Sequence, residues 1–190
     1  IASGDWSSDV CSSDLMKLKT RDIVYIGFIA ALCAVATTIR IEIPGGAMVH
    51  LGSAALFTTS ILFGGLYGGL GAAIGSALFD LFGGHTQYIV FSFFIKGIAG
   101  LIVGGMTAGY LPPSINKPTA SFSRILVALI IGAIWTAFGY FIAWWFVLNS
   151  AAVAASKIQY SLITSAAGII VAIVLTPKLQ KVVRRLFTKN

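Results

Sequence analysis

Six apolar segments, at about 22–40, 50–63, 66–82, 88–110, 122–149 and 157–176, occupy most of this 190-residue chain. A helix needs roughly 20 mainly apolar residues to cross a bilayer. Backbone in lipid must also satisfy its hydrogen bonds within its own segment. Together these constraints predict an all-α integral membrane protein, a single domain over residues 16–190. The composition agrees: 57% of residues are hydrophobic, 10% are charged, and the mean hydropathy is +0.93. A soluble domain is nearer to roughly 45–50% apolar and 25% charged, so a soluble core of this size could not cover the apolar surface. The second and third segments meet at Gly64 and Gly65. One helix of roughly 33 residues would overshoot the hydrocarbon core, so the glycines are read as a turn and six transmembrane helices are expected.

Charge placement tests that count. With six spans and the N-terminus inside, Lys17, Lys19, Arg21, Lys117, Arg124, Lys178, Lys181, Arg184, Arg185 and Lys189 are cytoplasmic. Arg40 and Lys157 are outside and Lys96 lies within a span. This bias follows the positive-inside rule and predicts both termini to be cytoplasmic. The formal charge of +7 does not point to nucleic acid, because the basic residues form no face interleaved with aromatics. They flank apolar blocks instead, with the C-terminal "PKLQKVVRRLFTKN" read as an anchor on anionic lipid. Cys11 and Cys33 are too few for a disulfide framework or a metal site.

Under this topology the polar side chains gather at the outer ends of the spans. A small-molecule site is therefore expected to face outward, and its candidate residues are Glu42, His50, Asp80, His85, Tyr88, Lys96, Trp144, Asn149, Lys157 and Gln159. Asp80 and Lys96 stand out, since an ionisable group within a span costs about 2.5–3.5 kcal/mol at the helix centre on insertion scales. Lys96 lies roughly 12 Å below the outer end of its span, and its stem can reach upward towards Asp80. The two are read either as a structural ion pair or as the lining of a cavity. Trp144 and Trp145 form an interfacial belt or a stacking wall for a flat ligand. His50 and His85 lack metal-site spacing, so no metal is expected.

The run "FGGLYGGLGAAIGSALFDLFGG" (63–84) repeats small residues every four positions, which lets helix backbones approach closely in lipid. A phosphate loop would need a preceding strand and a Gly-Lys-Ser/Thr ending, and neither is present. In the first span Ala30, Ala34 and Thr38 make a smooth face, read either as internal packing or as a dock for a membrane partner. No serine, paired-aspartate or zinc arrangement suited to membrane catalysis occurs, so enzymatic activity and resident cofactors are not expected.

The stretch "VHLGSAALFTTSILFGGLYGGLGAAIGSALFDLFGGHTQYIVFSFFIKGIAGLIVGG" (49–105) resembles the S components of energy-coupling factor (ECF) vitamin transporters, in their riboflavin-type branch. The likeness lies in the glycine-split helix pair, "ALFDLFGG" and "IKGIAGLIVGG". The resemblance implies six helices and a vitamin site near the outer surface. It also implies association with a transmembrane T subunit and two cytoplasmic ATPases in a prokaryotic cell membrane, with Ala30, Ala34 and Thr38 at the T-subunit contact. Lys157 stands where that branch often carries an asparagine two residues before a glutamine, here Gln159, and this departure bears on the substrate.

The leading expectation is thus a binding subunit for a B-vitamin or precursor with a flat aromatic heterocycle, such as a pyrimidine, a pyridine or a flavin. The alternatives are a self-sufficient carrier or channel subunit using Asp80 and Lys96, and a structural membrane protein without a ligand. Residues 1–15 belong to none of these readings. They hold Asp5, Asp9 and Asp14, with neither lysine nor arginine and no apolar run, so they are not a secretory signal. "DWSSDVCSSDL" back-translates into a common sequencing-library adapter, and the native start is read as Met16.

Overall fold

The computed structural model describes residues 19–43, 47–110 and 120–187, and the segment assigned to adapter sequence lies outside them. Each of the six apolar segments contains one helix: α1 (Thr20–Thr38), α2 (Gly52–Phe63), α3 (Gly65–Phe82), α4 (Ile89–Thr107), α5 (Phe122–Leu148) and α6 (Ala151–Phe187). Five of them are long and apolar enough to cross a membrane; α2, with 12 residues, is shorter. At 1.5 Å per residue α2 spans about 18 Å.

Two features depart from the expected all-α pattern. Residues Arg40–Ile43 (β1) and Ala47–His50 (β2) pair as an antiparallel hairpin, with Arg40 opposite His50. The alternating "RIEI" and "AMVH" flank a Pro-Gly-Gly segment, which is the composition of a hairpin rather than of a helix end. The last helix also begins earlier and ends later than its apolar segment, running through Pro177. Proline removes a backbone donor, yet Pro177 is accommodated inside α6, so the end of the apolar segment near residue 176 is not the end of the helix.

The helices alternate in direction. The C-terminal ends of α1, α3 and α5 and the N-terminal ends of α2, α4 and α6 gather around the hairpin. At the opposite end the α2–α3 turn passes through Gly64, whose φ of 86° suits glycine. There Gly65 N–H donates to Gly109 O at 2.9 Å and Leu66 N–H to Tyr110 O at 3.0 Å, tying the start of α3 to the end of α4. The core is built from Ile26, Ile29, Leu56, Phe57, Ala99, Val103 and Leu129, all buried. Phe28, Val35, Ile134, Phe138, Phe146 and Ile170 point outward and are more than half exposed. A face this apolar is stable against lipid, where a soluble protein would bury it.

The Ala30 face packs inward. Ala30 is 3% exposed, and a Cβ on Gly75 would collide with the Ala30 carbonyl and sit 2.9 Å from Cys33 Cβ. The bare backbone of α3 lets α1 settle into it, so Ala30 serves internal packing and is withdrawn from the partner-facing set. Ala34 is half-buried and Thr38 exposed, with the Thr38 hydroxyl donating to Ala34 O at 3.1 Å.

Candidate functional site

At the hairpin end the helices part around a cavity with about 800 Å³ of empty space, counted out to its mouth. Its walls come from one stripe per helix, because residues three or four apart share a helix face. Ser76, Phe79 and Asp80 come from α3, Ser92 and Lys96 from α4, Thr136, Tyr140 and Trp144 from α5, and Ser161, Thr164 and Ser165 from α6. Thr37, Met48, His50 and Ser53 close the side beneath the hairpin, and His85 and Tyr88 stand in the link between α3 and α4.

His50 ends β2 and begins the turn into α2, where its Nδ1 accepts from Gly52 N–H at 3.1 Å. Residue 52 must be small, because a Cβ there would collide with Thr37 Oγ1 and lie 2.9 Å from His50 Nδ1. Burial, reinforced by the positive charges of Lys96 and Arg40, lowers the His50 pKa from 6.5 to about 3. The ring is therefore neutral at physiological pH, as its acceptor role at Nδ1 requires. On α6, Thr164 Oγ1 lies 3.5 Å from Met48 O and ties the hairpin down.

Lys96 is 5% exposed and Asp80 8%. Among the described residues Lys96 has no carboxylate within ion-pairing distance, so the expected Asp80–Lys96 ion pair does not form. Lys96 Nζ instead donates to Ser53 Oγ at 3.2 Å and sits 5.3 Å from the centre of the Tyr140 ring. Tyr140 and Ser92 share a hydroxyl hydrogen bond of 3.1 Å, and Ser92 faces Asp80. The lysine thus meets α2 and α5 before it could reach the end of α3. Three buried polar atoms on the cavity wall have no hydrogen-bond partner among the described residues: Asp80 Oδ2, His85 Nε2 and Ser165 Oγ. Buried polar atoms are rarely left so.

Of the ten side chains proposed from sequence, His50, Asp80, His85, Tyr88, Lys96 and Trp144 line this cavity. The other four do not. Glu42 is spent on Arg40, with Arg40 Nη2 donating to Glu42 Oε1 at 2.8 Å. Asn149 closes α5 in a left-handed conformation, with φ of 51°. Gln159 is exposed; two residues from Ser161, it projects from the far side of α6. Lys157 shares the stripe of Ser161 but lies one turn nearer the mouth and is half-buried. Ser53, Ser76, Ser92, Thr136, Tyr140, Ser161, Thr164 and Ser165 escaped sequence reading, although the signal was present. Ser76 with Asp80, Ser92 with Lys96, and Thr136 with Tyr140 and Trp144 each repeat a polar or aromatic group at a four-residue interval.

Known proteins match this helical fold. The family model for the ECF-type riboflavin transporter S component matches residues 17–181. The chain belongs to that family. This S-component assignment rests on nearly the whole length of the chain, and with the five long apolar helices it makes the protein a multi-pass membrane protein. The fold is that of a solved S component of a bacterial ECF transporter, with a TM-score of 0.66 at 20% identity, covering 86% of this chain and 97% of the other. A Pyrococcus woesei protein described as an uncharacterized protein in the gap 3′ region is 29% identical over 142 residues, which are 74% of this chain and 88% of the relative. Membership of the family describes the substrate-binding subunit of an ECF transporter and implies association with T and ATPase components.

Proposed function

We propose that the hairpin-end cavity binds a B-vitamin or vitamin precursor with a flat aromatic heterocycle, and that the protein delivers it to an ATP-driven ECF importer. The observation that carries this reading is the cavity itself, whose walls combine buried polar atoms that have no hydrogen-bond partner among the described residues with the aromatic side chains Phe79, Tyr88, Tyr140 and Trp144. Such rings can stack on a planar ligand while the polar atoms fix its orientation. The family name supplies riboflavin as one compound of this class.

In this reading α2 is a short sixth span and the hairpin faces outward in a prokaryotic plasma membrane. Both termini are then cytoplasmic, which agrees with the lysines and arginines at the end opposite the hairpin. Ligand held by His50, Asp80, His85, Tyr88, Lys96 and Trp144 orders the hairpin above it, and the loaded subunit then reorients against a T subunit. ATP hydrolysis belongs to two partner ATPases, and this chain supplies binding alone, without a cofactor. The test is a thermal-shift panel of B-vitamins and their precursors on the full chain in nanodiscs, paired with uptake in cells. At least one compound should raise the melting temperature, and uptake should vanish when the ATPases are deleted. A flat panel would sink the proposal, and uptake that persists without the ATPases would favour a self-sufficient carrier.

A further inference from the structure

The charges inside the cavity narrow the ligand further, given the reading of that cavity as the substrate site. Two ionisable side chains of opposite sign are buried there, Lys96 and Asp80, and they do not meet in an ion pair. Among the described residues Lys96 meets a serine hydroxyl and the face of a tyrosine, and Asp80 Oδ2 has no hydrogen-bond partner. Two neighbouring groups of the hairpin do not serve as counter-charges. Arg40 is paired with Glu42 and rests over the Phe79 ring at 5.1 Å, and His50 is neutral. A buried cation and a buried carboxylate, neither held in a direct ion pair among the described residues, are costly arrangements that a complementary ligand would relieve.

We propose that the ligand is an amphoteric single-ring heteroaromatic acid, with a carboxylate received by Lys96 and an amino or ring N–H group donated to Asp80. Charge balance selects this class. One buried cation matches one negative charge, whereas a phosphate ester, with its greater charge, would leave excess negative charge beside Asp80. Spacing selects one ring. Asp80 faces Ser92, and Ser92 lies four residues before Lys96 on α4, a backbone rise of about 6 Å between the residues that mark the two sites. A six-membered ring with substituents at opposite positions spans such a gap. Tyr140 hydrogen bonds to Ser92 and faces Lys96, so it stands beside both sites and offers its ring to the ligand between them.

The experiment is calorimetric titration of the full chain in nanodiscs with 6-aminonicotinate, nicotinate, 6-aminonicotinamide and riboflavin. The carboxylate should be worth on the order of tenfold to a hundredfold in affinity, read as 6-aminonicotinate against 6-aminonicotinamide. Removing the amine, as in nicotinate, should also weaken binding. Lys96→Met should abolish the preference for the carboxylate, and Asp80→Asn the preference for the amine. Equal affinity for carboxylate and carboxamide in the unaltered protein overturns the inference, whatever the variants do. So does riboflavin as the preferred ligand, or binding only of some other vitamin, and in both cases the substrate-binding reading stands. Failure of these four and of every compound in a full vitamin panel removes the substrate-binding reading itself.

Discussion

The pair α3–α4 behaves differently at its two ends. Away from the hairpin it is a seam of backbone against backbone: a Cβ on Gly100 would lie 2.6 Å from Gly69 Cα, and one on Gly104 would lie 2.5 Å from Gly65 Cα. Towards the hairpin the glycines give way to Ser76, Phe79 and Asp80 on one helix and Ser92 and Lys96 on the other. Contact continues through Ser76 Oγ, which donates to Ser92 O at 3.2 Å, but the side chains hold space open around the cavity. The same two helices therefore close where side chains are absent and open where polar and aromatic ones are present. In lipid, where packing drives helix association, rigidity at the seam lets the other end carry uncompensated polar groups.

The sharpest way to break this comparison is to add a methyl group to the seam. Gly100→Ala should cost about 1–3 kcal/mol or more, because the obstructing atoms are backbone that cannot swing aside, and thermal or denaturant unfolding in micelles would show it. An unchanged melting temperature would mean that the seam is looser than its geometry states.

Acid should strain the cavity end next. The His50 pKa is about 3 in the fold and 6.5 as a model group, so the unfolded chain takes up a proton first as pH falls. Stability from this group is complete above pH 6.5 and declines towards pH 3, by at most about 1.4 kcal/mol per pH unit and less where water reaches the half-buried ring. His50→Gln should flatten that part of the pH–stability profile, and an identical slope in the variant would remove His50 as the cause.

Smaller effects sharpen the contrast. Ser76→Ala deletes a side-chain hydrogen bond from α3 to α4 and should cost about 1 kcal/mol, well below Gly100→Ala in the same unfolding assay. Gly27→Ala should go the other way. No atom lies within 4 Å of the Cβ it would add, and alanine favours a helix by up to about 1 kcal/mol over glycine. A loss of stability there would show that α1 is more closely covered than the structure indicates.

Much of the fold was legible in the order of residues. Each apolar segment became a helix, and the Gly64–Gly65 break became the α2–α3 turn, since length, hydropathy and glycine act locally. The hairpin at Arg40–His50 is not among the elements the apolar pattern predicts, because four-residue strands carry little periodic signal. The site was half legible. Asp80 and Lys96 announced themselves through the cost of burying charge, whereas Ser53 and Tyr140, which actually receive Lys96, are unremarkable on any single helix. Glu42 and Gln159 were drawn in by polarity alone, and it is pairing with Arg40 and the rotation of α6 that set them apart.

By itself the sequence determined that this chain must place helices in lipid, where they bend back, and that two ionisable groups must be held inside. Those outcomes follow from transfer free energies and backbone hydrogen bonding, which depend on composition and local order. Only the tertiary structure decided that Ala30 closes against the α3 glycines and that Lys96 turns to Ser53 and Tyr140 rather than to Asp80. Helix rotation and depth are set by the sum of many weak side-chain contacts between segments distant in the chain, and no single segment encodes that sum.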